Sequence, residues 1–218
     1  MDTHNSIKDR LVVIAAGSSS RWNNYKGTTK HLVEVDGESI LQRQVRLFDM
    51  DTTVIGFNED YKVDGAELII PDKVGGQDVN KQTYGTADLW NKNGRTIITL
   101  GDIYFTDEAI QTIKDYKEQD LHFFGRENGG VTCDYGELFA HSFYPEQHED
   151  YLNSYMATNA MYEDGPIKRN EWWEQYRVAQ GLDPTVHATG DMFTEINDLT
   201  DDFDYPKDFD LFMKAKNN

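Results

Sequence analysis

Three features near the N-terminus could together bind a polyphosphate. An apolar run covers residues 11–16, small residues follow at 17–20, and two cations, Arg21 and Lys30, come next. The apolar run is short and rich in β-branched residues, which is typical of a buried strand. Backbone N–H groups in a loop of small residues can approach an anionic ligand closely. The segment therefore predicts a phosphate site in which Arg21 clamps two oxygens and Lys30 supplies a compact charge.

The order of these residues resembles the signature of the sugar-phosphate nucleotidyltransferases. The matching residues are Ala15-Ala16-Gly17-Ser18-Ser19-Ser20-Arg21 and, after them, Lys30-His31-Leu32-Val33-Glu34-Val35-Asp36-Gly37. The signature is shared with phosphocholine cytidylyltransferases and with cofactor-maturing cytidylyl- and guanylyltransferases. Many members have a second glycine where this chain has Ser19, and serine is less permissive of positive φ.

The resemblance assigns a role to each residue of this segment. It implies that the loop binds the nucleotide through Ala15, Ala16, Gly17, Ser18, Ser19 and Ser20, and that Arg21 and Lys30 are catalytic. Lys26 is the alternative to Lys30, which we prefer because the residues after it match the family's lysine context.

Two acidic segments could bind a hard cation. Asp102 follows the apolar run at 95–100, and a carboxylate at a strand end can hold Mg²⁺ that bridges phosphate oxygens. An aspartate after a strand is, by itself, more often a turn or cap residue, but the resemblance implies a metal ligand here. It also implies that Asp204 is the second ligand, for Mg²⁺ or Mn²⁺, and that Asp208 caps the last helix. The register is open among Asp198, Asp201, Asp202 and Asp204.

The base-binding loop is predicted at residues 82–87. Gln82, Gly85 and Thr86 are similar to the family's nucleotide-base loop, in which Gly-Thr-Ala opens a helix. A plain loop-to-helix junction with an N-cap has the same sequence pattern.

The acceptor is expected to bind in the second half of the chain. Glu137 lies where related enzymes contact the acceptor and could accept hydrogen bonds from hydroxyls, and Asn159 could line the same pocket. Trp172 and Trp173 are also candidates, but aromatic pairs are more often part of a core.

Strand and helix patterns alternate in the first half of the chain. The predicted strands are 11–14, 52–57, 67–70, 95–100 and 121–124, and the predicted helices are 40–48, 86–90 and 108–116. This alternation indicates βαβ units around a mostly parallel sheet. The resemblance implies a Rossmann-like, three-layer α/β/α sandwich of the nucleotide-diphospho-sugar transferase type.

We expect one domain over residues 1–218. Within it we predict a nucleotide-binding half at about 8–128, an acceptor-binding subdomain at about 130–195, and a C-terminal segment with the second metal ligand at about 196–216. The acceptor-binding part should lie over the carboxyl edge of the sheet, where open α/β sheets bind ligands.

Composition narrows the choice of partners and compartment. The net charge of −18 argues against nucleic acid, which requires clustered Lys and Arg. No apolar stretch is long enough to span a membrane, and no secretory signal precedes residue 11. The single cysteine, Cys133, excludes an internal disulfide and suits a reducing compartment, so we expect a cytoplasmic protein. The oligomeric state is left open.

The sequence thus predicts an Mg²⁺-dependent nucleotidyltransferase. It would join an NTP, with UTP or CTP favoured, to a sugar 1-phosphate or similar phosphomonoester and release pyrophosphate. One alternative is a GT-A-type glycosyltransferase that consumes a nucleotide sugar, and another is a binding protein that keeps the fold without turnover.

Replacing Lys30 with alanine is expected to lower turnover by about 10²–10³-fold, because a charge aimed at the phosphates is lost. Lys26→Ala is the matched control and should leave turnover near normal. Pyrophosphate release measures turnover, and circular dichroism verifies that both variants fold. The opposite pattern would transfer the role to Lys26, and two active variants would contradict the nucleotidyltransferase interpretation.

Overall fold

The computed structural model describes residues 9–17, 19–71 and 79–218, with residues 79–81 described in their backbone only. The strands are β1 Arg10–Ile14, β2 Glu34–Val35, β3 Glu38–Ser39, β4 Asp51–Ile55, β5 Ala66–Ile69, β6 Thr96–Leu100, β7 Ile103–Tyr104, β8 His122–Asn128, β9 Tyr135–Phe143, β10 Phe193–Glu195 and β11 Asp201–Asp202. The helices are α1 Ile40–Phe48, α2 Val79–Tyr84, α3 Asp107–Asp115, α4 His148–Glu163, α5 Trp172–Ala179 and α6 Pro206–Lys216.

Seven strands form the central sheet in the order β10-β8-β9-β6-β1-β4-β5. Strands β6, β1, β4 and β5 pair in parallel, as do β10 and β8. Strand β9 runs antiparallel to both of its neighbours, β6 and β8. The mostly parallel α/β architecture predicted from the sequence is therefore confirmed.

Helices cover both faces of the sheet, and the side chains of β1 alternate between the two cores that they form. Leu11 and Val13 belong to a buried cluster with apolar residues of α1 and α3. Val12 and Ile14 point to the other face and belong to a cluster with residues of α4 and α5. All four side chains are at most 3% exposed. A strand with both faces buried is continuously apolar, which is why its sequence lacks an alternating pattern.

A third core fixes the loop after β1 to the C-terminal helix. Trp22 is fully buried in a cluster with Phe209 and Phe212 of α6. Its indole Nε1 donates to the carbonyl oxygens of Tyr25 and Thr28, at 3.1 and 3.0 Å. The loop that carries the predicted catalytic cations is thus packed against the last helix.

The predicted elements of the first half agree with the structure, with one correction. Helix α1 has the predicted bounds, and the strands differ by one to four residues at their ends. The prediction of a helix over 86–90 is wrong, because α2 ends at Tyr84 and only a short 3₁₀ turn, Ala87–Leu89, follows. The Thr86 hydroxyl does not cap the N-terminus of a helix. It donates instead to the carbonyl oxygen of Thr83, at 2.7 Å.

The second half contains regular elements that the sequence did not reveal. Helix α4 lacks an amphipathic pattern because it buries Ser154 and Thr158 while Met156 is 60% exposed. Strands β9 and β10, inside the predicted acceptor-binding part, belong to the central sheet. Within the described residues, no helix combines the length and the apolarity needed to cross a membrane.

Candidate active site

The loop after β1 and the loop after β6 are neighbours because their strands pair in parallel. Ile14 lies opposite Leu100 in the register, and the Gly101 amide donates to the Ile14 carbonyl at 2.8 Å. The two strands therefore end at the same edge of the sheet, where Gly17 and Asp102 both line one cleft. This edge is the expected ligand-binding side of an open α/β sheet.

Lys30 lies at this edge between two carboxylates. Its Nζ is 2.5 Å from Oδ2 of Asp102 and 2.7 Å from Oδ1 of Asp204. Lys30 and Asp102 are each only 8% exposed. Burial lowers the pKa of Lys30, but the charges of Asp102 and Asp204 outweigh it and hold the pKa above its ordinary value. The ammonium is thus charged and fixed in place.

Arg21 contacts the same acidic group from the solvent side. Its Nη1 is 2.8 Å from Oδ2 of Asp204, and its guanidinium lies 5.3 Å from the centre of the Tyr205 ring. The Arg21 side chain is 56% exposed and faces the cleft. The predicted pair of cations therefore meets the predicted pair of carboxylates at one place.

Lys26, the alternative to Lys30, lies elsewhere. It is exposed, and its ammonium is 5.1 Å from the ring centre of Tyr25 and 5.8 Å from that of Phe209. The described lining of the cleft includes Lys30 and not Lys26.

A short two-stranded sheet brings the C-terminal acids to Asp102. Strand β11 pairs antiparallel with β7, so that Asp202 lies opposite Ile103, and the Phe203 amide donates to the Asp102 carbonyl at 3.1 Å. Successive side chains of an extended segment point to opposite sides. Asp202 and Asp204 line the cleft, while Asp201 and Phe203 are each 0% exposed and are not part of its described lining.

Asp201 and Asp198, the remaining candidates for the second metal ligand, have structural contacts. Asp201 accepts hydrogen bonds from the amides of Val131 and Thr132 and from the Thr132 hydroxyl, and its Oδ1 is 3.1 Å from Nη2 of Arg126. Asp198 accepts hydrogen bonds from the hydroxyl of Thr106, which caps α3, and from the Thr200 amide. Neither aspartate lines the described cleft.

Asp208 fixes the backbone that carries Asp204. Its Oδ2 accepts hydrogen bonds from the amides of Tyr205 and Asp204, at 2.6 and 3.1 Å. Pro206 occupies the first turn of α6, where its missing N–H costs nothing. Asp208 lies in the first turn of α6, and its side chain caps the N-terminus of this helix, as predicted.

The acidic residues of the cleft are close enough to share a cation. Asp102, Asp202 and Asp204 each offer a carboxylate oxygen, and these oxygens lie within 4.8 Å of one another. Burial, followed by the charge of Asp102, raises the pKa of Asp202 to about 7. Such crowding of like charges is relieved by a divalent cation, and all-oxygen donors suit Mg²⁺ or Mn²⁺.

Glu137 lines the same cleft next to Asp202. Burial, followed by the charge of Asp202, raises the pKa of Glu137 above its ordinary value. Its Oε2 is 3.5 Å from Nη2 of Arg126. Glu137 thus reaches the cleft, where the sequence analysis expected a residue that contacts the acceptor.

Two residues of the site were missed in the sequence. Arg126 is buried, and its Nη1 donates to the Thr200 carbonyl at 3.0 Å, which secures the segment leading to β11. His31 lines the cleft, and its Nδ1 is 3.2 Å from the Tyr61 hydroxyl. Burial lowers the pKa of His31 to about 4, so the ring is neutral. A charged residue within the apolar segment 121–126 was the available signal for Arg126.

The cleft has a volume of about 730 Å³ and two unlike walls. One wall contains Gly17, Ser19, Ser20, Arg21 and Lys30, and the floor contains the acids. The second wall is formed by the start of β9, which lies on the other side of β6 from β1, and by residues at and before the start of α5, and it includes the following residues: Tyr135, Gly136, Glu137, Arg169, Glu171, Trp172 and Trp173. The volume is in the range of small-molecule sites.

Some predicted residues lie outside the described lining. Ala15 and Ala16 are buried below the loop, at 0% and 2% exposure. Gln82 lines the cleft, whereas Gly85 and Thr86 do not. Asn159 lies on α4, where its Oδ1 accepts a hydrogen bond from Asn170 Nδ2 at 3.1 Å. Ser18 falls outside the described residues.

The predicted second-glycine position has the backbone that glycine favours. Ser19 has a φ of 47°, in the left-handed region, and its hydroxyl oxygen is buried without a hydrogen-bond partner in the described structure. A strained residue with an unsatisfied donor at a cleft is typical of a binding loop.

Two glycines of the site form a matched pair for mutation. A Cβ on Gly101 would lie 2.6 Å from the Ala15 Cβ, whereas one on Gly17 would meet only His31 Nε2, at 4.0 Å. Gly101→Ala should destabilise the fold by about 1–3 kcal/mol. Gly17→Ala should leave stability unchanged but weaken nucleotide binding by about tenfold, because the methyl group obstructs backbone approach to the phosphates.

Chemical denaturation and a nucleotide titration measure these two effects separately. Normal nucleotide affinity in Gly17→Ala would show that this loop does not approach the phosphates.

Comparison with known proteins shows similarity in the fold. No protein-family model and no curated protein matches the sequence at a significant level. Among solved structures, the chain is similar to CTP:phosphocholine cytidylyltransferase from Streptococcus pneumoniae, with a TM-score of 0.60 and 14% identity over 96% of this chain and 100% of that one.

Two further structures are similar over most of their length. The inositol-1-phosphate CTP transferase from T. maritima has a TM-score of 0.57 and 12% identity over 95% of this chain and 96% of that one. The nucleoside-diphosphate-sugar pyrophosphorylase from Vibrio cholerae has a TM-score of 0.57 and 16% identity over 94% and 99%. The resemblance predicted from the sequence is thus confirmed in the fold, which is that of these nucleotidyltransferases.

Proposed function

We propose that this protein is a metal-dependent nucleotidyltransferase that joins an NTP to a phosphorylated small molecule and releases pyrophosphate. The observation that carries the proposal is the arrangement of Lys30 and Arg21 around Asp102 and Asp204, beside the small-residue loop. These groups suit a reaction in which negative charge develops on phosphate oxygens. The shared fold with known nucleotidyltransferases supports the same reaction.

In the proposed reaction, an oxygen of the acceptor phosphate attacks the α-phosphorus of the NTP. The bond from that phosphorus to the bridging oxygen breaks, and pyrophosphate leaves with the bonding electrons. The acceptor phosphate is already ionised at neutral pH, so no protein base is needed. Lys30 and Arg21 stabilise the charge on the α-phosphate and the departing pyrophosphate, and the loop orients them.

The acidic floor is the proposed site of Mg²⁺ or Mn²⁺. Asp102 and Asp204 are the proposed ligands, and Asp202 offers a third carboxylate within reach. When bound, the cation neutralises phosphate charge and helps hold the triphosphate for in-line displacement. The ammonium of Lys30 keeps the same carboxylates oriented toward the cleft.

UTP or CTP is the proposed nucleotide, and a sugar 1-phosphate or similar phosphomonoester is the proposed acceptor. The names of two structural neighbours specify CTP, with phosphocholine and inositol 1-phosphate as their other substrates. Gln82 has an amide that suits a base edge. We assign acceptor binding to the part at about 130–195, where Glu137 reaches the cleft. A cytoplasmic location fits the single cysteine.

A glycosyltransferase that consumes a nucleotide sugar is the main alternative. It needs a metal-held diphosphate as leaving group, but it does not require the paired cations beside the loop. Mass spectrometry of the products distinguishes the two reactions. One incubation contains an NTP and a sugar phosphate, and the other contains a nucleotide sugar and an acceptor.

The proposed function is tested by a screen of four NTPs against a panel of phosphomonoesters, with pyrophosphate release as the readout. We expect release with UTP or CTP and one acceptor class, loss of activity in EDTA, and recovery with Mg²⁺ or Mn²⁺. Full activity in chelator would contradict the assignment of Asp102 and Asp204. Transfer from a nucleotide sugar without pyrophosphate release would favour the glycosyltransferase.

A further inference from the structure

The cleft is short of positive charge for the substrates it is proposed to bind. Its described lining has five acidic residues and three Lys or Arg residues. Two of these cations, Arg21 and Lys30, already form ion pairs of 2.5–2.8 Å with the acidic floor. A phosphomonoester brings about two further negative charges. The cation that meets this charge should be one that the floor does not already neutralise.

Arg169 is the third cation of the lining and meets this condition. It lies between α4 and α5 and belongs to the second wall of the cleft, with 69% of its side chain exposed. Its ion pair with Glu171 is 3.9 Å long, and exposed pairs of this kind contribute little free energy. The guanidinium can therefore exchange this contact for a bidentate bond to a phosphate.

The direction of the reaction indicates which phosphate Arg169 would meet. In-line displacement requires the attacking and leaving oxygens to lie on opposite sides of the α-phosphorus. The pyrophosphate leaves on the side of Gly17, Arg21 and Lys30 in the proposed function. The attacking phosphate then approaches from the side of the second wall, which includes Arg169.

We propose that Arg169 binds the phosphate of the acceptor and so determines that the acceptor must be a phosphomonoester. This inference rests on the proposed function for its choice between the acceptor phosphate and the phosphates of the nucleotide. It assigns Arg169 to binding of the acceptor, and Arg21 and Lys30 to binding of the nucleotide.

The experiment compares Arg169→Ala, Arg169→Lys and Lys168→Ala with the wild-type protein. Lys168 is an adjacent exposed cation outside the described lining, so its removal controls for net charge. Calorimetry measures the binding of inorganic phosphate with the nucleotide site filled by Mg²⁺ and an α,β-methylene analogue of CTP or UTP. The affinity for each analogue is measured separately, and circular dichroism monitors the fold.

We expect Arg169→Ala to weaken phosphate binding by about tenfold or more, since a charge-assisted hydrogen bond is lost. Arg169→Lys should retain part of the affinity, and Lys168→Ala all of it, with unchanged affinity for the analogue in every variant. Unchanged phosphate binding in Arg169→Ala would overturn the inference, as would a loss of affinity for the analogue instead. Absence of phosphate binding to the wild-type protein would also overturn it.

The failure of the proposed function is visible in a different measurement. Wild-type protein that binds phosphate through Arg169 but releases no pyrophosphate from any NTP and acceptor would contradict the nucleotidyltransferase assignment while leaving the phosphate site in place.

Discussion

The contact on which the rest of the site depends is the pair of ion pairs from Lys30 to Asp102 and Asp204. It joins the loop after β1, the end of β6 and the segment before α6 at one point of the cleft. Burying these charges is expensive, and a hydrophobic cluster of similar volume would stabilise the fold as well or better. The arrangement is therefore better explained by chemistry that needs fixed charges in a partly dry cleft.

The fold delivers each partner of this contact by a different physical route. Parallel pairing places the ends of β1 and β6 at the same edge of the sheet. Trp22 packs the loop between Arg21 and Lys30 against Phe209 of α6, and Tyr25 donates to Asp210 on the same helix. The pairing of β11 with β7 returns the C-terminal segment to Asp102. Substitutions that disturb any of these contacts should therefore alter the distances between the charged groups in the cleft.

The first half of the fold was predictable because its signals are local, whereas the central charges were named from the resemblance to a known family. A buried strand, a small-residue loop and the apolar spacing of Leu41, Val45 and Phe48 are each contained in a few residues. The register at the C-terminus was not predictable, since four aspartates lie close together in sequence. The structure places Asp202 and Asp204 in the lining of the cleft, while Asp201 forms an ion pair with Arg126. Helix α4 was not predicted, because it buries hydroxyl groups and exposes a methionine, so its sequence has no amphipathic pattern.

We infer that Asp102 and Asp204 meet at Lys30 in order to hold a nucleotide-bound cation. The most direct measurement is anomalous diffraction from crystals grown with Mn²⁺ and an α,β-methylene nucleotide analogue. We expect an anomalous peak with carboxylate oxygens of Asp102 and Asp204 as ligands, and the analogue's phosphates between this peak and the loop at Gly17. A manganese peak away from both aspartates, with Lys30 still bridging them and the phosphates bound elsewhere, would contradict this assignment.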